Sequence, residues 1–167
     1  MNKYILYFFI GCLALSCKSD GKKDNTSASP SIEIKNTKFE NLPPLPQDKL
    51  RQLYADATYI DYIFYDLPFS ISQDNKPSIH SNLQMISIEQ MGGILKDCKS
   101  IGREFFHVGG NIAYEAEIYF QDGCYGYVFM DKQKPIYANK VSEAVMKFYS
   151  NIIAQAAQIK SKALNGG

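Results

Sequence analysis

The scarce reactive side chains in this 167-residue sequence are four cysteines (Cys12, Cys17, Cys98, Cys124) and two histidines (His80, His107). Cys98 and Cys124 stand 26 residues apart. A disulfide closing such a loop contributes roughly 3.5 kcal/mol in the chain-entropy picture. Two buried free thiols, or a redox or metal role, are the alternatives. There is no CxxC pair and no close histidine spacing to favour the last of these. With Met85 and Met91, these cysteines and histidines could make a soft-metal set, but nothing in their spacing demands one, and no metal or other cofactor is expected. Asp61 and Asp66 sit in an aromatic stretch, Tyr59 to Phe69, that holds five rings. Such rings can bind sugar, peptide or lipid, although core packing is their commoner use. Two carboxylates do not make a glycosidase unless their separation and surroundings suit the reaction. The sequence has no GxSxG, HExxH, P-loop or GxGxxG, so no catalytic residue is assigned.

The elements that would position these groups are readable at the centre of the chain. Tyr114, Ala116, Ile118 and Phe120 alternate with Glu115, Glu117 and Tyr119, the pattern of a half-buried strand. Asp122-Gly123 then signals a two-residue hairpin. That turn sets Phe120 opposite Tyr125, Ile118 opposite Tyr127, and Ala116 opposite Phe129, so the apolar groups share a face. A one-residue slip would move all three rings to the glutamate side. Upstream, a three-residue loop at Gly109-Gly110-Asn111 places Phe106 opposite Tyr114, Val108 opposite Ile112 and Arg103 opposite Glu117. The polar face then carries Arg103, Phe105, His107, Glu115, Glu117, Tyr119, Cys124 and Met130. Within it, Arg103, His107, Glu115, Glu117 and Tyr119 form a candidate ligand face. The plainer reading is the solvated side of a one-sided sheet, covered in part by the N-terminal helix. A disulfide requires Cys98 to approach this face.

Pro46 and Asp48 suit a helix start, and Leu50, Leu53, Tyr54 and Ala57 follow at helical spacing. A strand to about Tyr65 is expected next, then a short strand over Phe69–Ser72 and a loop at Gln73–Pro77. Ser87-Ile88-Glu89-Gln90 matches a capping box and predicts a short helix from Ile88, weakened by Gly92-Gly93. Ile136–Ala138 can form a strand after a Lys134-Pro135 turn. Val141, Val145, Phe148, Ile152, Ala156, Ile159 and Ala163 mark a C-terminal helix. The expectation is an α+β domain over residues 45–163. It has an antiparallel sheet of about four strands, the C-terminal helix on the apolar face, and a shorter N-terminal helix.

Composition narrows the function. Hydrophobic residues at 46% and charged residues at 21% suit a folded domain. A net charge of +1 argues against nucleic acid as a partner. Residues 4–15 form an apolar run too short to span a bilayer and right for a signal peptide. The run ends Leu13-Ala14-Leu15-Ser16-Cys17, which resembles the lipobox of bacterial lipoproteins. The resemblance covers about twenty residues, and an ordinary secretory signal peptide is the alternative. It implies a signal peptide over 1–16, cleavage after Ser16 and acylation of Cys17. Without Lys3 the chain carries 17 basic and 17 acidic residues. Lys18, where an Asp would favour the inner membrane, leans the address toward the outer membrane. Residues 17–44 would hold the lipidated cysteine and a tether, since Lys18–Ser31 has no large apolar residue. Ile32 and Ile34 could start an edge strand, and Pro43-Pro44-Leu45-Pro46 is a stiff connector. The expected protein is a lipid-anchored accessory or binding protein of the cell envelope acting on a membrane-associated partner. A small envelope enzyme, or a metal or haem accessory protein, is the rival.

Overall fold

The computed structural model describes residues 37–121 and 123–165. The expected signal peptide, Ser16, Cys17, the part of the expected 17–44 tether up to residue 36, and Asp122 lie outside them. Strands β7 (Asn111–Gln121) and β8 (Cys124–Asp131) form the expected hairpin. Phe120 faces Tyr125, Ile118 faces Tyr127, and Ala116 faces Phe129. Gly123 has φ +81°, a conformation that favours glycine. β6 (Ser100–Val108) pairs with β7 and sets Arg103 opposite Glu117 and Phe106 opposite Tyr114, as expected. The turn between them is shorter than the expected three residues. Val108 faces Asn111 rather than Ile112, because Gly109 and Gly110 both take positive φ and close a two-residue turn. A bulge between Phe106 and His107 absorbs the remaining residue and restores the register. β9 (Lys134–Val141) follows a turn at Lys132 and Gln133, both at positive φ, so the Lys134-Pro135 pair opens the strand instead of turning.

The sheet is wider than about four strands. β2 (Ala57–Phe64), β3 (Ser70–Gln73) and β4 (Ile86–Gln90) join it, giving seven antiparallel strands in the order β3-β2-β6-β7-β8-β9-β4. β2 runs against β6 so closely that a Cβ at Gly102 would collide with the Ile63 carbonyl. β4 replaces the helix expected from Ile88. Gly92-Gly93 leaves too few residues to repay helix nucleation, and Ser87 Oγ accepts from the Glu89 amide in a local turn. The segment instead pairs Ile86 with Val141 and Gln90 with Asn139.

α1 (Gln47–Asp56) begins after Pro46 and carries Asp48 in its first turn. α2 (Lys76–Leu83) occupies part of the stretch expected to be a loop. Asn75 caps it by accepting from the Ser78 amide at 3.0 Å, and Pro77 fits its first turn. α3 (Glu143–Asn165) buries Val145, Tyr149, Ile152 and Ala156. Ile159 is exposed, so the predicted stripe outruns the sheet it covers. Leu50 and Leu53 of α1 join the same core as Val145, Tyr149 and Ile152. Both helices therefore lie on the apolar face, and α1 does not cover the polar one.

The polar face has a different cover. β1 (Thr37–Glu40) and β5 (Gly93–Leu95) form a separate two-stranded sheet. Phe39, Leu42, Met91 and Ile94 pack there against Tyr119, Val128 and Ala138. At Gly126 a Cβ would collide with the Met91 sulfur, so glycine admits this layer. Phe129→Ala removes a fully buried ring and is expected to cost about 3–5 kcal/mol. Glu115→Ala, on the opposite face, is expected to cost under about 1 kcal/mol. Urea melts of the two variants check the register, and equal losses would refute it.

Candidate functional site

Four of the five candidate ligand-face residues meet in one network. Arg103 donates from Nη1 to Glu115 Oε1 at 2.6 Å, from Nη2 to Glu117 Oε1 at 3.4 Å, and from Nε to Tyr65 Oη at 2.9 Å. Tyr119 Oη donates to Glu117 Oε2 at 2.6 Å. Burial opposes the guanidinium's charge, but Tyr65, Glu115 and Glu117 outweigh it and hold its pKa above the ordinary value. Burial, and then the bond to Glu117, pushes the Tyr119 hydroxyl well up. The alternation of β6 and β7 explains the placement, since every member from these strands points to the outer face. The network satisfies itself: each nitrogen of the guanidinium already donates to a neighbour. Its chemistry is positional, because it fixes the Tyr65 ring.

His107 lies apart. It is two same-face positions along β6 from Arg103, or about 13 Å at strand rise, and it meets Tyr59 edge-on with centroids 5.4 Å apart. His80 sits on α2, stacked on Tyr54 at 3.8 Å, with Nε2 donating to the Tyr54 carbonyl at 2.9 Å. Met85 belongs to the inner core and Met91 to the outer layer. Met91 shares the outer layer with Cys98 and Cys124, the two histidines sit on different elements, and no group of three His, Cys, Asp or Glu side chains that could hold a metal occurs among the described residues. Asp61 accepts from Ser72 Oγ at 2.6 Å, whereas Asp66 lies in the loop beyond β2. The aromatic stretch divides by face: Tyr62 and Phe64 are buried, while Tyr65 is half exposed.

Cys98 and Cys124 form a disulfide with Cα atoms 5.9 Å apart. It ties the segment after β5 to the start of β8, and both cysteines are buried in the outer layer. Beside it lie two recesses. One, of about 220 Å³, is lined by Asp97, Cys98, Lys99, Gln121 and Cys124. The other, of about 290 Å³, is lined by Tyr65, Asp66, Leu67, Lys99, Ser100, Ile101, Gln121 and Ile153. Lys99 and Gln121 border both.

Sequence reasoning missed Glu104. It lies fully buried on the apolar side, opposite Tyr62 on β2 and Ala116 on β7. The signal was present: with Arg103 assigned to the polar face, its neighbour had to point inward. Burial raises its pKa to about 8 from an ordinary 4.5, against a smaller opposing effect of the Tyr62 hydroxyl. Tyr62, Tyr127 and Tyr149 surround the same interior, with Tyr127 Oη and Tyr149 Oη 3.1 Å apart. Burial first, and Glu104 among the lesser causes, pushes all three phenols well up. Burial thus favours the neutral form of every member of the cluster.

Compared with known proteins, the chain matches no protein-family model, no curated protein and no solved structure. No helix among the described residues is long and apolar enough to cross a membrane.

Because Glu104 holds its proton to about pH 8 in the fold and to about 4.5 when unfolded, the unfolded chain loses its proton first. Stability should therefore fall as pH rises from about 4.5 to about 8 and level off above. The ceiling on this loss is about 5 kcal/mol. Glu104→Gln should flatten that slope, so the variant gains on wild type steadily toward pH 8. Urea melts across this window check it, and parallel curves would refute it.

Proposed function

We propose that this is a lipid-anchored accessory or binding protein of the cell envelope that acts on a membrane-associated partner. The observation that carries the reading is the Cys98–Cys124 disulfide, because such bonds persist mainly outside the reducing cytosol. It agrees with an export signal ending in Ser16-Cys17, where acylation of Cys17 would supply the anchor. Two or three acyl chains make a stable anchor, whereas one is marginal. Lys18 favours the outer membrane within this reading.

The binding reading is preferred to the catalytic one on the placement of the imidazoles. A histidine–carboxylate catalyst needs the two groups within hydrogen-bond reach in a recess. His80 instead spends Nε2 on a backbone carbonyl, and His107 packs against Tyr59.

Radioactive fatty acid fed to cells should label the wild-type chain and not Cys17→Ala. Equal labelling of both would refute the anchor. Peptide mass spectrometry of unreduced protein from the envelope should recover the Cys98–Cys124 pair; free thiols at both positions would remove the observation on which the reading rests.

A further inference from the structure

The recess between Tyr65 and Ile153 has a construction that the Arg103 network lacks. Its floor is apolar: Ile101 is buried, and Leu67 and Ile153 are partly buried. Its rim carries Asp66, Lys99 and Gln121, all exposed. Among the described residues none of these three side chains has a hydrogen-bond or ion-pair partner. Ser100 is different, since the single proton of its hydroxyl is already taken up by the backbone carbonyls of Gly102 at 2.8 Å and Ile118 at 3.1 Å, which share it.

The rim's supports are nevertheless fixed. Arg103 Nε holds Tyr65 by its hydroxyl at 2.9 Å. Lys160 Nζ donates to the Asp66 carbonyl at 2.7 Å and pins that loop to α3. The disulfide fixes the other side, because Lys99 follows Cys98 and Gln121 pairs with Cys124 across the hairpin. Each wall is held by one interaction while its polar head is left unspent. This is the arrangement of a preformed site, which lowers the ordering cost of binding.

The unspent heads specify the ligand. Lys99 offers a cation, Gln121 an amide, and Asp66 an anion, above an aliphatic floor beside an aromatic wall. A simple carboxylate would leave Asp66 unanswered, and a simple amine would leave Lys99 so. We propose that this recess binds a small zwitterion of the α-amino-acid class with an apolar side chain. Its carboxylate meets Lys99 and Gln121, its ammonium meets Asp66, and its side chain lies on Leu67, Ile101 and Ile153. The volume of about 290 Å³ suits one such molecule and sits at the small end of ligand cavities. The proposal deepens the binding reading above by naming a ligand class, but it does not depend on the anchor: Cys17→Ala failing to lose its label would leave it standing.

The test titrates the purified full chain with leucine, with 4-methylpentanoate, which lacks the ammonium, and with isoamylamine, which lacks the carboxylate. Methyl resonances of Ile101 and Ile153 report occupancy by NMR. Leucine should bind more tightly than either analogue by up to about fivefold, the scale of one rim ion pair. Lys99→Ala should weaken leucine and 4-methylpentanoate and spare isoamylamine. Asp66→Asn should do the reverse, weakening leucine and isoamylamine. Both positions are exposed, so the fold should survive either change, and unchanged amide spectra would verify it. An analogue that equals leucine, or no methyl shift with any of the three at about 10 mM, roughly the weak end of specific binding, would overturn the proposal.

Discussion

The turn between β7 and β8 commits every side chain of the central strands to one face. Gln121 pairs with Cys124, and Gly123 supplies the positive φ that so tight a reversal needs. From there the period of two propagates. Ala116, Ile118 and Phe120 go inward with Tyr127 and Phe129, while Glu115, Glu117 and Tyr119 go outward. Pairing with β6 passes the same constraint to Arg103, which must face Glu117, and β6 passes it to β2. The ion network, the helix-covered core and the face that receives the disulfide are three consequences of one register.

Glu104 measures how strong that constraint is. Rotating β6 to free one carboxyl would also turn Phe106 outward and bring Arg103 in. Exposing a ring as large as Phe106 forfeits about 1.5–3 kcal/mol, and burying an unpaired guanidinium costs several more. Keeping a neutral carboxyl inside without a good partner costs about 1–3 kcal/mol. The cheaper choice is to bury Glu104 in its protonated form. Tyr62, Tyr127 and Tyr149 give it polar company from β2, β8 and α3, so the sheet and the C-terminal helix meet at a polar cluster as well as at an apolar seam.

What the sequence made legible follows the range of the interactions. The β7–β8 hairpin, α1 and the core of α3 rest on neighbours a few residues apart, and periodicity displays them. The disulfide was legible because signal cleavage and acylation would leave only two cysteines to pair. The β2–β6 pairing was hidden, since it joins segments some forty residues apart with no local mark. The covering layer of β1 and β5 was hidden for the same reason, so Tyr119 looked solvated although it is fully buried. The Ser87–Gln90 box misled because the same serine and glutamate serve a strand edge equally well once Gly92-Gly93 forbids a helix. Of the candidate ligand face, Arg103, Glu115, Glu117 and Tyr119 were placed together correctly. That Arg103 would also spend its Nε on Tyr65 was not readable, because Tyr65 arrives from just beyond β2 across a pairing the sequence did not display.

The covering layer also explains why a sheet of this width tolerates a polar outer surface. Asn139 is fully buried, accepts from the Leu45 amide at 2.8 Å and donates to the Ser87 carbonyl at 2.8 Å. The Ala138 amide donates to Pro43, and the Gln90 side chain donates to Leu42. The proline-rich connector is therefore stitched to β9 and β4 at one end of the layer, while the disulfide stitches the segment after β5 to β8 at the other. Between these two seams the Met91 amide donates to the Ala138 carbonyl at 3.2 Å, Lys38 Nζ lies 5.9 Å from the Tyr119 ring centre, and Phe39 packs against Tyr119 and Met91 over Gly126. So few contacts over so small an area would by themselves open readily. Two separated fixed points make opening of one side cost the strain of the other, which is why a small two-stranded sheet can serve as a permanent cover and hold Lys99 and Gln121 in place beside it.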